Sequence, residues 1–473
     1  MNRFLRLQSR DIVVAVSIAM FMVQLDATVL VVALPRIAAD FGVRTISLSL
    51  SITIYLTMLV ALLPVSGWAA DRFGARRVFS LAILGFAAAS ALCALCESFW
   101  PFIAARALQG AAASLLAPVG RLILLKRTPK NELVDALSIT AMPMLIAPTV
   151  GPSIGGFIVD YARWEYIFLL NLPFAALLFW IAQARVPRIP AEAARPLDWR
   201  GAAMMAGALV CVLTGLDRLT SGFARPAPWL LVGAGAVLAW ATWRHLLRHP
   251  DPIVSLEPLR VREYATTAIG SGAVVRVPPR ALLFVLPLMF QIGFGMSPFA
   301  AGLLLMALSG GDLLMKPAVR PLFDRIGFAS TILWASGAGI AAMLLLAVVQ
   351  PGSIAALAVI AAALVVSGIS RSLLFTGMVA QSFTALRDAH VSSGNVVASI
   401  SQQLVNALTV LLCAILLALI AWAQGRAEPA LADFRITLAI IAAIGIAATL
   451  RLRAFLPASL HDARVEEPSR VAD

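Results

Sequence analysis

The chain has 473 residues, 61% of them hydrophobic and 13% charged, with a formal net charge of +13. A water-soluble domain of this length does not carry that balance, so the chain reads as an integral membrane protein. The basic surplus would point to nucleic acid only if it clustered on a water-exposed domain, whereas here it is spread over short loops between apolar runs.

Apolar stretches of about 20 residues between polar breaks predict about fourteen spanning helices. The first, 12–35, holds a carboxylate, Asp26, roughly 21 Å along a helix rising ~1.5 Å per residue. That is membrane depth, where an unpaired charge costs roughly 2.5–3.5 kcal/mol or more. This start, Arg-containing and then apolar, resembles a signal peptide. The apolar run is too long and no small-residue site closes it early, so it is expected to stay as an uncleaved span. The second span, 46–70, runs into "GWAADRFGARR" (67–77). There Asp71 can cap a helix or pair with Arg72, Arg76 or Arg77, and Gly74 permits a sharp bend. The third, 77–97, contains Cys93 and Cys96 without a second Cys pair or a His nearby, so these read as packing residues. In the fourth, 100–125, Arg106 lies a few residues inside the apolar run and needs a partner or water, unless it snorkels to the interface. The fifth, 135–160, carries "APTVGPSIGG": Gly151 and Gly155 share a helical face and allow close contact, Gly156 follows, and Pro152 bends the helix.

Spans six to eight follow at 164–184, 199–219 and 227–247. His245 and His249 are four residues apart but have no obvious acidic helper in the sequence, so no metal site is predicted. The stretch 248–264 reads as an interfacial connector. The ninth span, 265–291, contains Arg276 and Arg280. The tenth, 298–322, has Asp312 and Lys316 at i and i+4, a spacing that lets them pair with each other. It runs into "PLFDRIGFA" (321–329). The last four are 328–349, 353–380 with Arg371, 396–423 and 434–456, before a polar tail expected to be disordered.

An even count puts both termini on one side. Loops on that side hold 25 Arg and Lys and the opposite loops hold seven, so both termini are expected in the cytoplasm. Asp71 with Arg72, and Asp324 with Arg325, each sit in an Asp-Arg-x-Gly turn. The two aspartates are 253 residues apart, a displacement of eight helices. The layout is therefore six helices, two inserted, then six: residues 1–185, 186–263 and 264–457, with a tail at 458–473. Repeated halves around a midplane site are a transporter architecture. No lysine has the glycine spacing of a phosphate loop, so ATP hydrolysis is not the drive and no enzyme is expected.

These stretches together resemble the major facilitator superfamily. "GWAADRFGARR" is similar to its signature loop, and the chain resembles the fourteen-span drug:proton antiporter branch, the EmrB/QacA type. "LDATVLVVALP" (25–35) resembles the first-helix motif of that branch and "RALQGAAAS" (106–114) its fourth-helix motif. "APTVGPSIGG" resembles the fifth-helix antiporter motif, and "RWEYIFLLNLP" (163–173) the start of the sixth helix. "SSGN" (392–395) and Lys316 look most like the MdtD/HsrA-type multidrug exporters. Val31, Ala147 and Glu165 depart from the branch pattern. The resemblance implies an all-α polytopic fold of two six-helix bundles plus two inserted helices, in the cytoplasmic (inner) membrane. It also implies export of small amphiphilic compounds driven by the proton gradient, without a cofactor. In that resemblance Arg106 and Gly110 are linked to proton coupling together with Asp26. Asp71, Arg72, Gly74, Arg76, Arg77 and Gly67, with Asp324 and Arg325, form the gating turns. Gly151, Pro152, Gly155 and Gly156 form the antiporter motif. Asp26, Arg106, Arg276, Arg280 and Arg371 fall on the helices expected to line the cavity, one acid against four arginines, which suggests an anionic or zwitterionic substrate. The partners expected are protons, a small-molecule substrate and the lipid bilayer, with no nucleic acid. No motif identifies a periplasmic adaptor protein.

Overall fold

The computed structural model describes residues 10–128, 133–187, 197–220, 225–384, 386, 388–426 and 428–455. The predicted tail, 458–473, lies outside them. Among the described residues the chain is helical, without strands. The first span is one helix, α1 (Arg10–Asp40). The second is a bent pair, α2 (Leu50–Leu62) and α3 (Val65–Phe73), turned by 56° where Pro64 lacks the N–H that would continue the ladder. Then come α4 (Ala75–Ala94), α5 (Phe99–Arg127) and α6 (Leu133–Tyr161). The sixth span is divided into α7 (Tyr166–Leu169) and α8 (Asn171–Ala184). The inserted helices are α9 (Trp199–Leu219) and α10 (Pro226–Arg248).

The ninth span is broken where hydropathy predicted a continuous helix. It comprises α11 (Arg262–Ala268), α12 (Ser271–Val275) and α13 (Val277–Leu288), extended by a π-helical turn at Met289–Gly293. Gly270, at φ −74° and ψ −131°, leaves the helical backbone between the first two pieces, and Pro278 and Pro279 start the third. The chain ends in α14 (Pro298–Ile326), α15 (Phe328–Val348), α16 (Ile354–Thr384), α17 (Asp388–Ala423) and α18 (Leu431–Phe455). Twelve of these helices, counting broken runs once, are long and apolar enough to cross a membrane, and the bent α2–α3 pair makes a thirteenth. The remaining predicted span falls in α6, whose 29 residues reach ~43 Å.

The packing repeats between the two halves. α1 lies against α6, and α2 crosses α5. In the second half α14 crosses α16 and α15 packs on α16 and α18. The halves meet where α6 packs along α14 and α2 along α17, while α9 and α10 pair with each other and α9 leans on α2. Small residues set these distances. A Cβ on Gly155 would stand 2.8 Å from the Val29 carbonyl oxygen of α1, and one on Gly156 would overlap Pro298 of α14. The stretch 151–156 thus joins three helices across the seam between halves. Asp160 closes the same end, its Oδ2 accepting the Phe299 N–H at 2.8 Å.

Two further contacts repeat between the halves. Gly110 of α5 lies on the Tyr55 peptide of α2, where a Cβ would come within 2.9 Å of the Tyr55 Cα. Gly368 of α16 lies on the Leu308 peptide of α14, where a Cβ would come within 2.7 Å of the Asp312 nitrogen. Tyr55 and Leu308 are 253 positions apart, as are Asp71 and Asp324. In the paired turns Gly74 and Gly327 both have φ of 86°, a left-handed conformation that only glycine adopts without strain.

Candidate functional site

The centre of the first half is polar and enclosed. Asp26 on α1 and Arg106 on α5 are 3% and 1% exposed, and Arg106 Nη1 stands 2.7 Å from Asp26 Oδ2. Oδ1 of the same carboxylate accepts from Gln109 Nε2 at 2.8 Å and from Asn171 Nδ2 at 3.0 Å. Gln109 and Asn171 also donate to Ser90 Oγ, at 2.8 and 3.3 Å. Arg106 donates to the Ser51 carbonyl at 3.4 Å and to Gln109 Oε1. Its guanidinium lies 4.5 Å from the centroid of the Tyr55 ring. Five spans meet here, and Gly110, one turn after Arg106, allows Tyr55 to approach. An acid and a guanidinium so enclosed persist only if paired and hydrogen-bonded, and both conditions hold. Sequence reasoning found Asp26, Arg106 and Gly110 but missed Gln109, Asn171, Ser90, Ser51 and Tyr55. Gln109, one helical turn from Arg106, was the available signal.

The second half gathers its charges differently. Asp312 Oδ2 accepts from Arg371 Nε at 3.0 Å and Nη2 at 2.6 Å, while Lys316 Nζ lies 3.3 Å from Asp312 Oδ1. The expected i, i+4 pair with Lys316 is present, and Arg371 joins it as a second partner. Asp312 is not confined to an i, i+4 pair on its own helix, because the Gly368 crossing brings α16 against it. The cavity count of one acid against four arginines therefore omitted a carboxylate. Arg276 Nη2 donates to the Thr267 carbonyl at 3.1 Å, a group freed by the break at Gly270. Arg280 stacks 4.7 Å from the centroid of Phe375, and its Nη1 is buried without a hydrogen-bond partner. No hydrogen bond or ion pair joins the Asp26–Arg106 group to Arg276, Arg280 or Arg371 among the described residues, so the expected cavity residues fall into two groups.

At the membrane face of the paired turns, Arg76 donates to the Gln183 carbonyl and, at 3.0 Å, to Gln183 Oε1, tying the first turn to the end of α8. Arg72 and Arg77 are exposed, as are Gly67, Asp324 and Arg325. Asp71 lines a cavity of about 910 Å³ together with Trp68, the start of α9, the end of α10 and the 249–260 connector. Asp198 is also on its wall. It caps α9 by accepting the Gly201 N–H at 2.9 Å and meets His245 Nε2 at 2.8 Å. Burial pushes its carboxyl up, but the bonds from Gly201, His245 and the Ile253 N–H outweigh that and hold it below the usual carboxylate range. The acidic helper not visible beside His245 and His249 in the sequence is thus Asp198, brought there because α9 and α10 run antiparallel. Glu165, one of the departures from the branch pattern, pairs with Arg163 at 2.5 Å.

The profile described as Major Facilitator Superfamily matches residues 16–410. The chain is 31% identical over 412 residues to the "Putative multidrug resistance protein MdtD" of Pectobacterium carotovorum subsp. carotovorum (strain PC1), covering 85% of this chain and 86% of that one. It is 32% identical over 409 residues, with the same coverage, to the protein of that name from Yersinia pestis (strain Pestoides F). Among solved structures it is similar to a POT family transporter in complex with 5-aminolevulinic acid, with a TM-score of 0.70 at 14% identity over 94% of this chain and 95% of that one. It is also similar to the human organic anion transporter MFSD10, with a TM-score of 0.61 at 17% identity over 94% and 99%. These two likenesses concern the fold.

Proposed function

Because the chain belongs to the Major Facilitator Superfamily, a family of membrane transporters, we propose that it exports small amphiphilic compounds across the cytoplasmic membrane in exchange for protons. In this reading both termini are cytoplasmic, the halves 1–185 and 264–457 rock against each other about the 151–156 seam, and the proton gradient is the only drive. The observation that carries it is the enclosed Asp26–Arg106 pair. A proton on Asp26 discharges the acid and releases Arg106 from it, so binding or losing one proton changes the bonds that hold five spans together. In a low-dielectric interior such a change is large compared with its value in water, which couples protonation to the arrangement of the half. The multidrug-resistance names of the relatives support export of amphiphiles. In vesicles containing a pH-sensitive dye, Asp26→Asn is expected to abolish substrate-driven proton movement. Wild-type coupling in that variant would reduce the acid to a structural role.

A narrower second reading has its own observation. Arg280 and Arg276 bond to no carboxylate among the described residues, and a buried guanidinium without a counter-charge is costly. An anionic substrate would supply that charge, so this reading is an exporter of an endogenous anionic metabolite on the same fold.

A further inference from the structure

Away from the two charged groups of the bundle interior, three side chains of the inserted region present metal-ligating atoms to one point. Asp198, His245 and His249 each offer one such atom, and all three lie within 4.8 Å of one another. His245 Nε2 and Asp198 Oδ1 are already 2.8 Å apart. The rings of His245 and His249 lie 5.0 Å apart between centroids, one helical turn from each other along the end of α10. Four-coordinate zinc, with donors at about 2.0–2.2 Å, requires neighbouring donor atoms roughly 3.3–3.6 Å apart. The widest gap therefore needs to close by about an ångström and the Asp198–His245 pair to open by about half of one.

We propose that Asp198, His245 and His249 form a binding site for a divalent transition-metal ion of the zinc type, at the membrane face where the inserted helix pair begins and ends. Two imidazoles and one carboxylate are the donor set that suits this ion. The carboxylate is oriented from behind by the Gly201 N–H at 2.9 Å and the Ile253 N–H at 3.3 Å, the kind of outer support that fixes a ligand before the metal arrives. His249 is oriented too, its Nδ1 accepting the Asp251 N–H at 3.2 Å. Asp198 and His249 line the 910 Å³ cavity, whose wall also carries Asp71, Asp251 and Glu257 against Arg260. The cavity leaves a fourth position open to water beside Asp198 and His249. A bound ion would join the residue that starts α9 to the last turn of α10 and its cap. It would close the inserted pair into a loop and fix the connector that follows, because binding energy for a site assembled only in the folded chain is also folding energy.

The test uses the full chain without a polyhistidine tag, stripped of metal in detergent micelles and titrated with Zn²⁺ alone, then with Co²⁺ to read the visible absorption of a tetrahedral site. The expected result is saturable uptake with a raised melting temperature, weakened more than about tenfold in His249→Gln and His245→Gln. Asp198→Asn should do the same but also removes the cap of α9. His249→Gln avoids that ambiguity, since the ring holds only a backbone N–H of the connector. Equal zinc uptake by the wild type and the His245→Gln/His249→Gln double variant, or no uptake by the wild type, would overturn the proposal and leave a helix cap with a histidine hydrogen bond.

Discussion

The two halves share a frame and differ in what they place on it. In each, the second helix is crossed by the fourth at a glycine seated on a peptide group, Gly110 on Tyr55 and Gly368 on Leu308. In the first half the crossing encloses one acid and one guanidinium, and both carboxylate oxygens are satisfied. In the second half the corresponding crossing brings Arg371 to Asp312, beside Lys316, in a more open setting. Their side chains are 13% and 10% exposed, against 1% and 0% for the Arg106–Asp26 pair. Two more arginines, Arg276 and Arg280, stand on the broken ninth span without a carboxylate among the described residues. A duplicated frame has thus been filled with a neutral, sealed pair on one side and a positive excess on the other. Under the proposed function, the first half would handle protons and the second would meet a charged substrate.

The largest expected effect comes from breaking the sealed pair. Asp26→Asn should abolish coupling and also strand Arg106, at a cost of about 3–5 kcal/mol, read as a lower melting temperature in detergent. Adding Arg106→Gln removes the stranded charge, so the double variant should recover much of that stability while coupling stays absent. Asp312→Asn, in the more open pair, should cost less stability and leave coupling in place. Proton movement that survives in the double variant would move the coupling site out of the first half.

A smaller effect tests the frame. Gly110→Ala and Gly368→Ala each drive a methyl into a neighbouring peptide, and overpacking of this kind costs about 1–3 kcal/mol. Both should lower the melting temperature to a similar degree. Only Gly110→Ala should disturb proton coupling, because Tyr55 carries Arg106 beneath its ring. Gly337→Ala on α15, with nothing within 4 Å of the added atom, is the control. Equal disturbance of coupling by both crossing variants would show that the halves are not divided in labour.

Much of the frame was legible in the sequence because hydropathy reports composition directly: the span predicted at 199–219 coincides with α9. Breaks inside spans were missed, although Pro64 and Gly270 stood in plain view, since a 20-residue average does not register where a backbone turns. The residues around Asp26 come from spans one, two, three, four and six. Their meeting depends on which face each helix buries, and apolar spans of low amphipathicity barely encode that. Asp198 and His245, 47 positions apart, could not be joined until the antiparallel pairing of α9 and α10 was known. The Asp-Arg-x-Gly turns were readable because their chemistry is local, and the φ of 86° at Gly74 and Gly327 is what that local pattern requires.

The last effect, read in substrate preference rather than in stability, concerns the positive excess of the second half. If Arg280 meets the substrate, it does so through charge-assisted hydrogen bonds, which contribute about 1.5–3 kcal/mol, or roughly tenfold to a hundredfold in apparent affinity. Matched anionic and cationic amphiphiles competing for export should then separate in favour of the anion. Arg280→Gln should erase most of that preference without changing the maximal rate for an uncharged compound. Arg276→Gln should act differently, since Arg276 already donates to the Thr267 carbonyl: it should lower stability more than it shifts preference. The contrast between these two neighbours decides the matter. Export that favours quaternary ammonium compounds and is indifferent to Arg280→Gln would assign both arginines to holding the broken ninth span together.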